Sequence, residues 1–271
     1  MKSTNKSFNT FRQGRISARR EARKQLLLRN NLEKRFNRRL KTLYRKFLNT
    51  SLYLYKEFGI YETEIAAQRL NEEFMPLILS HYKKIFLAIY KNNEQKYYDE
   101  KQEAFVFGRS IDFEAVVNEY FATRQLILAG ISNRIATRIS NLIEEGRADN
   151  LTLPQIAKNV SDKFLPIGRS RAAMIARTET HNAASFSNHS YFKTTQANLG
   201  INMVKKWVAT NDARTRSAHS IANGQTVAMD EKFTVGGVEM DYAGDSSGGA
   251  KNVINCRCVI IYADEQDIVL D

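Results

Sequence analysis

At Gly200 the hydrophobic period of this chain changes, and that change limits the possible folds more than any other feature. Before it, apolar residues recur every three to four positions over long stretches, the spacing of amphipathic helices. After it they alternate over short runs separated by glycine-containing turns, the spacing of strands. A chain of 271 residues divided in this way is α+β: a long-helix N-terminal region followed by a C-terminal module of helices plus a small, mostly antiparallel β-sheet.

The helical half reads in order. Leu28, Leu32, Phe36, Leu40, Leu43 and Phe47 predict a helix from Lys24 to Phe58. A second runs from Glu62 to Lys91 along Ala66, Leu70, Phe74 and Ile85, with Pro76 expected to kink or divide it. Residues 92–110 are polar and read as a connection. Ile127, Ile131, Ile135, Ile139 and Ile143 repeat every four residues within a helix from Asp112 to Glu145, and Gly146 reads as its stop. Thr152 with Gln155 is a capping-box pattern opening a short helix over Leu153 to Phe164. Pro166-Ile-Gly168 reads as a turn before a last helix, Ser170 to Ala197.

Charge is distributed as unevenly as hydrophobicity. Residues 1–46 hold 16 Lys+Arg against 2 Asp+Glu, so the whole basic excess of the chain lies in its first sixth. Such an arm suits a polyanion, and the alternative is a solvated basic face on a packed helix. The residues expected to meet phosphates are Arg12, Arg15, Arg19, Arg20, Arg23, Lys24, Lys34, Arg35, Arg38, Arg39, Lys41, Arg45 and Lys46. Domain organisation follows: a basic flexible arm over 1–22, a helical basic region over 23–110, a linking helix over 111–149, a module over 150–265 and a tail over 266–271. The N-terminus lacks an apolar secretory core, and the run from Leu77 to Tyr90 is interrupted by His81, Lys83 and Lys84. The chain is therefore expected to be soluble and cytosolic when made.

Beyond Gly200, Val204–Val208, Val227–Met229, Lys232–Val235 and Val238–Met240 read as strands, with a hairpin turn at Gly236-Gly237. Thr215–Ala222 reads as a short helix, residues 241–251 as a loop, and Val253–Tyr262 as the final strand. Period two on that strand puts Cys256 and Cys258 on one face with Ile254, Ile260 and Tyr262. Two readings stand for these cysteines: buried thiols in a core, or ligands of a zinc ion completed by His219 and by Asp212 or His189. Cys-x-Cys is tighter than the usual zinc spacing. Asp212, Arg214, Arg216 and His219 crowd eight residues, as a structural polar network or as acid–base chemistry such as that of a metal-dependent nuclease.

The succession Ile175-Ala-Arg-Thr-Glu-Thr180, Lys206-Trp207, Asp212-x-Arg-Thr-Arg-x-x-His219, Gly224, Phe233, Gly244-Asp245 and Ile254-Asn-Cys-Arg-Cys258 resembles the phage Mu F-like minor head protein family, the phage head morphogenesis domain, over about residues 150–262. Arg177, Thr178, Glu179, Trp207, Asp212, Arg214, Thr215, Arg216, His219, Asn255, Cys256 and Cys258 match its motif. Tyr242-Ala243 stands where the family often has Pro before Gly-Asp.

The resemblance implies a head-assembly protein of a tailed phage or prophage. Its partners would be the portal protein, capsid or scaffold proteins and double-stranded DNA, with no membrane. It would sit inside the head near the portal, after assembly in the host cytoplasm. The resemblance gives the motif positions no catalytic role and implies no cofactor. Some relatives carry an added C-terminal toxin or enzyme domain, and with thirteen residues after Cys258 none is expected here.

Overall fold

The computed structural model describes residues 16–98, 112–200, 202–264 and 268–269. In chain order its elements begin β1 (Ile16–Ser17), α1 (Ala18–Phe58), α2 (Thr63–Tyr98), α3 (Phe113–Ala148) and α4 (Leu153–Leu199). They continue with β2 (Met203–Val208), α5 (Ser217–Ile221), β3 (Thr226–Ala228), β4 (Phe233–Val235), β5 (Val238–Met240), α6 (Gly249–Val253), β6 (Val259–Asp264) and β7 (Ile268–Val269). The chain divides into two compact units, one of Asn31–Ala183 and one of Met1–Asn30 with Ala184–Asp271. Both boundaries fall inside helices, α1 and α4.

The helical unit is built on continuous apolar stripes. Phe36 and Leu40 on α1, Phe74, Ile78 and Tyr82 on α2, Leu128 and Ile139 on α3, and Val160 on α4 are almost wholly buried. Each such side chain contributes roughly 1.5–3 kcal/mol by leaving water. Neither proline divides its helix. Pro76 lies within α2 and Pro166 within α4. Both are exposed, so the missing N–H faces solvent. The buried rows Leu70–Phe74–Ile78 and Val160–Phe164–Gly168–Ala172 pass each proline without interruption, and packing of those faces outweighs the local cost. The two helices expected on either side of Pro166 are one element of 47 residues.

Two further expectations change for geometric reasons. A repeat of four drifts by about 40° per step on a helix of 3.6 residues per turn. Ile127 accordingly turns outward and Ile131 is half-buried, whereas Ile135, Ile139 and Ile143 reach the buried face as expected. Gly146 does not stop α3; it is buried inside the helix, where a Cβ would lie 2.8 Å from Ile156 Cγ1. The chain reverses at Asn150, whose φ is 55°. The capping box is half formed: Gln155 Oε1 accepts from the Thr152 amide at 2.8 Å, and the Thr152 hydroxyl donates to the same oxygen.

In the second unit β2 is the central strand of a three-stranded antiparallel sheet in the order β3-β2-β6, with Trp207 opposite Ile260. The hairpin β4-β5 turns on Gly236 and Gly237, at φ 61° and 78°, a backbone that two adjacent L side chains would strain. β1 pairs in parallel with β7. Ala18 and Ala22 pack on Val259 and Ile261. Burying those alanines makes residues 18–22 the first turns of α1, not part of an arm; residues 1–15 of that arm lie outside the described residues. So does most of the expected connection over 92–110, of which residues 92–98 continue α2. No helix among the described residues is long and apolar enough to cross a membrane.

Candidate functional site

The final strand starts later than its alternation suggests. Residues 249–253 form α6, and Cys256 and Cys258 lie in the segment between it and β6. Asn255, at φ 58°, bends that segment, and the Cys256 amide donates to Val253 O at 3.2 Å. The bend is what the period-two reading missed. It turns both sulfurs toward α5, where His219 projects from a short helix anchored by Arg216, whose guanidinium donates to Ile254 O.

The three side chains meet in the interior, each 2 % exposed. His219 Nδ1 lies 3.3 Å from Cys258 Sγ and 3.6 Å from Cys256 Sγ. All three donor atoms fall within 4.8 Å of one another, so they could hold a metal ion. Trp207, fully buried on β2, stands edge-to-face to the His219 ring with centroids 5.6 Å apart. Cys256 beside it, together with burial, pushes the Cys258 thiol far up, while Trp207 and the Thr210 backbone N–H oppose that rise. Arg29 on α1, also buried, donates to Cys258 O at 3.5 Å and carries its charge near both sulfurs. Burial lowers its pKa to about 10.

Asp212 is engaged elsewhere. Arg257 grips its carboxylate with both terminal nitrogens, at 2.5 and 2.6 Å, and the Arg214 amide and Thr215 hydroxyl add hydrogen bonds at 3.0 and 3.3 Å. Those bonds, led by Arg257, hold the Asp212 carboxyl well below the usual carboxylate range. Asp212 is thus the centre of a partly exposed loop clamp, and His219 the centre of a buried donor cluster; their roles differ. The Gly244-Asp245 loop is ordered without the family's proline. Asp245 accepts from the amides of Asp241 and Ser247 at 2.8 and 3.0 Å, and Tyr242 packs against His189 and Phe186. Burial, then Lys205 and Lys193, lowers the His189 pKa to about 4.

Arg177, Thr178 and Glu179 belong to the helical unit. Arg177 pairs with Glu33 at 3.4 Å, and Thr178 is buried. Glu179, 2 % exposed, receives Arg124 at 2.8 and 3.3 Å and the Tyr82 hydroxyl at 2.5 Å. Burial opposes the charge on Arg124, yet Glu179 raises its pKa above the ordinary range. Next along the helix, the Thr180 hydroxyl meets His81 Nε2 at 2.7 Å, and His81 stacks on Phe36. The sequence reading missed Tyr82, Arg124 and Arg29. Their signal is polarity at a buried helical position, which needs the partner in view to be recognised.

Of the residues expected to meet phosphates, Arg12 and Arg15 lie outside the described residues. Arg19, Arg20, Arg23, Lys24, Lys34, Arg35, Arg38, Arg39, Lys41, Arg45 and Lys46 are all on α1 and all exposed. Lys46 pairs with Glu73 at 2.9 Å. Arg38, Arg39 and Lys46 line an open groove with Pro76 and Leu77 of α2.

Residues 133–261 match the family described as Phage Mu protein F like protein. The chain is 28% identical over 262 residues to the Minor head protein GP7 of Bacillus phage SPP1, covering 88% of this chain and 82% of that protein. It is 31% identical over 129 residues to the NAD(+)--arginine ADP-ribosyltransferase EFV of Enterococcus faecalis (strain ATCC 700802 / V583), covering 48% of this chain but only 26% of that protein. No solved structure matches.

Proposed function

We propose, from the match of residues 133–261 to the Phage Mu protein F like family, that this chain is a minor head protein of a tailed phage or prophage, acting in head assembly beside the portal and on packaged DNA. The observation that carries this reading is the similarity to a minor head protein along 88% of the chain, helices included. A match confined to residues 133–261 would speak for the motif-bearing module alone. The short match to the ADP-ribosyltransferase covers 26% of that enzyme, so that enzyme's activity supplies no role for this chain.

The exposed cationic face of α1 supports the DNA contact. Eleven Lys and Arg side chains project from one helix, and such a face neutralises phosphates without reading sequence. The second unit serves as an assembly element whose irregular loops are held by the Asp212–Arg257 clamp and by the His219 cluster. It is proposed to be non-enzymatic: Asp212 is saturated by arginine and His219 faces sulfur, so neither is presented to a substrate.

Duplex-DNA binding by the full chain, titrated with salt, tests the reading. Replacing Arg35, Arg38, Arg39, Lys41 and Arg45 by Gln should flatten the slope of log K against log salt by up to about 4.5, at about 0.9 for each phosphate no longer neutralised. An unchanged slope removes α1 as the DNA-binding element. Added magnesium, manganese or zinc should leave the DNA intact, and metal-dependent cleavage abolished by His219→Ala would replace the assembly reading with a nuclease. Co-purification with the cognate portal protein tests the remaining partner.

A further inference from the structure

We propose that His219, Cys256 and Cys258 form a zinc site, with His219 Nδ1 and the two sulfurs as its protein ligands. One imidazole nitrogen and two cysteine sulfurs are the ligand types that zinc takes. Here both sulfurs converge on the same Nδ1, at 3.3 and 3.6 Å, in a site where each residue is 2 % exposed. A cation at the centre resolves the crowding. It replaces the two thiol protons, takes the Nδ1 lone pair and leaves the ring proton on Nε2.

The spacing agrees. Zinc bonds of about 2.3 Å to sulfur and about 2.0–2.1 Å to nitrogen, at tetrahedral angles, hold the nitrogen and each sulfur about 3.5 Å apart. Two thiolates with one imidazole are a donor set that selects zinc over magnesium or calcium. Arg29, which donates to Cys258 O, and Arg257, between the two cysteines in sequence, place positive charge near a pair of metal-bound thiolates. Trp207 fixes the plane of the imidazole from its edge-to-face position. A Cys-His nucleophilic pair is the competing chemistry, and it engages only one of the two sulfurs that converge on Nδ1.

The chain as a whole is the sample. Full-length protein, produced in zinc-supplemented medium and purified without a metal-affinity step, should carry about one zinc per chain by mass spectrometry of the digested metal. Exchange with cobalt(II) should give thiolate-to-metal charge-transfer bands in the near ultraviolet and intense tetrahedral d–d bands in the visible. His219→Cys should keep the metal, because a third thiolate replaces the imidazole, whereas Cys256→Ser with Cys258→Ser should reduce it to under about a tenth of an equivalent. Should the serine variant fail to fold, the wild-type stoichiometry and cobalt spectrum decide alone. Folded wild-type protein holding under about a tenth of an equivalent and showing no cobalt–thiolate band overturns the site. So does one equivalent of zinc that survives loss of both cysteines in a folded chain.

Discussion

The two units bury polar groups in opposite ways. In the helical unit Arg124, Glu179 and Tyr82 satisfy one another, donor to acceptor, and His81 shares a hydrogen bond with Thr180. In the second unit two sulfurs converge on one ring nitrogen, without a counter-charge among the three. The first arrangement is closed by an ion pair. The second gathers the ligand types of a metal, which is the basis of the zinc proposal. Both contain positions of the motif that carries the family resemblance.

The largest effect expected is on the buried ion pair. Glu179→Ala leaves Arg124 buried without its counter-ion and should cost roughly 3–5 kcal/mol in urea denaturation, while Glu179→Leu with Arg124→Met should recover most of it. Recovery by the double variant confirms a self-contained pair. A double variant as unstable as the single one would show that Glu179 has another task.

Acid should weaken both units, each through one histidine. Burial lowers the pKa of His81 to about 3 and of His189 to about 4, so below the ordinary 6.5 the unfolded chain binds protons that the folded chain refuses. Stability is therefore full above pH 6.5 and declines as pH falls toward those values. At pH 5 each histidine should account for about 2 kcal/mol, and His81→Phe should remove one share of the loss. A pH-independent midpoint between 7 and 5 would mean that both rings accept protons in place.

Packing within the helical unit is tested by Gly146→Ala. The added methyl meets Ile156, and overpacking of this kind costs about 1–3 kcal/mol, with Ile156→Ala relieving part of it. Asp212→Asn is the smallest change. The clamp with Arg257 is partly exposed, and its removal should leave the denaturation midpoint unresolved from wild type, in contrast to Glu179. A large fall would move Asp212 into the company of the buried ion pair.

How much of this was readable in sequence depends on range. The switch at Gly200, the Gly236-Gly237 hairpin and the helix stripes are local patterns, and they came through. The prolines misled because a propensity seen one residue at a time ignores the buried rows that run past Pro76 and Pro166. Cys256 and Cys258 were put on a strand because six alternating residues look alike whether or not Asn255 bends them. Arg124 is 55 positions from Glu179, Tyr82 is 97 positions from it, and Arg29 is 229 from Cys258. No spacing rule reaches that far. Of the site, the residue types were visible and the division of labour between Asp212 and His219 was not.

The pairing of Ile16 with Ile268 sets a schedule for biosynthesis. Residues 31–183 are contiguous and can collapse while the ribosome is still at work. The other unit is closed by strands from opposite ends of the polypeptide, so its β1-β7 ladder waits until residue 269 has left the exit tunnel. At about 5–20 residues per second, the early segment stands unpaired for on the order of ten seconds or more. During that interval Ala18 and Ala22 lack Val259 and Ile261 to cover them. A nascent-chain binder would find that face open once per molecule, and then not again.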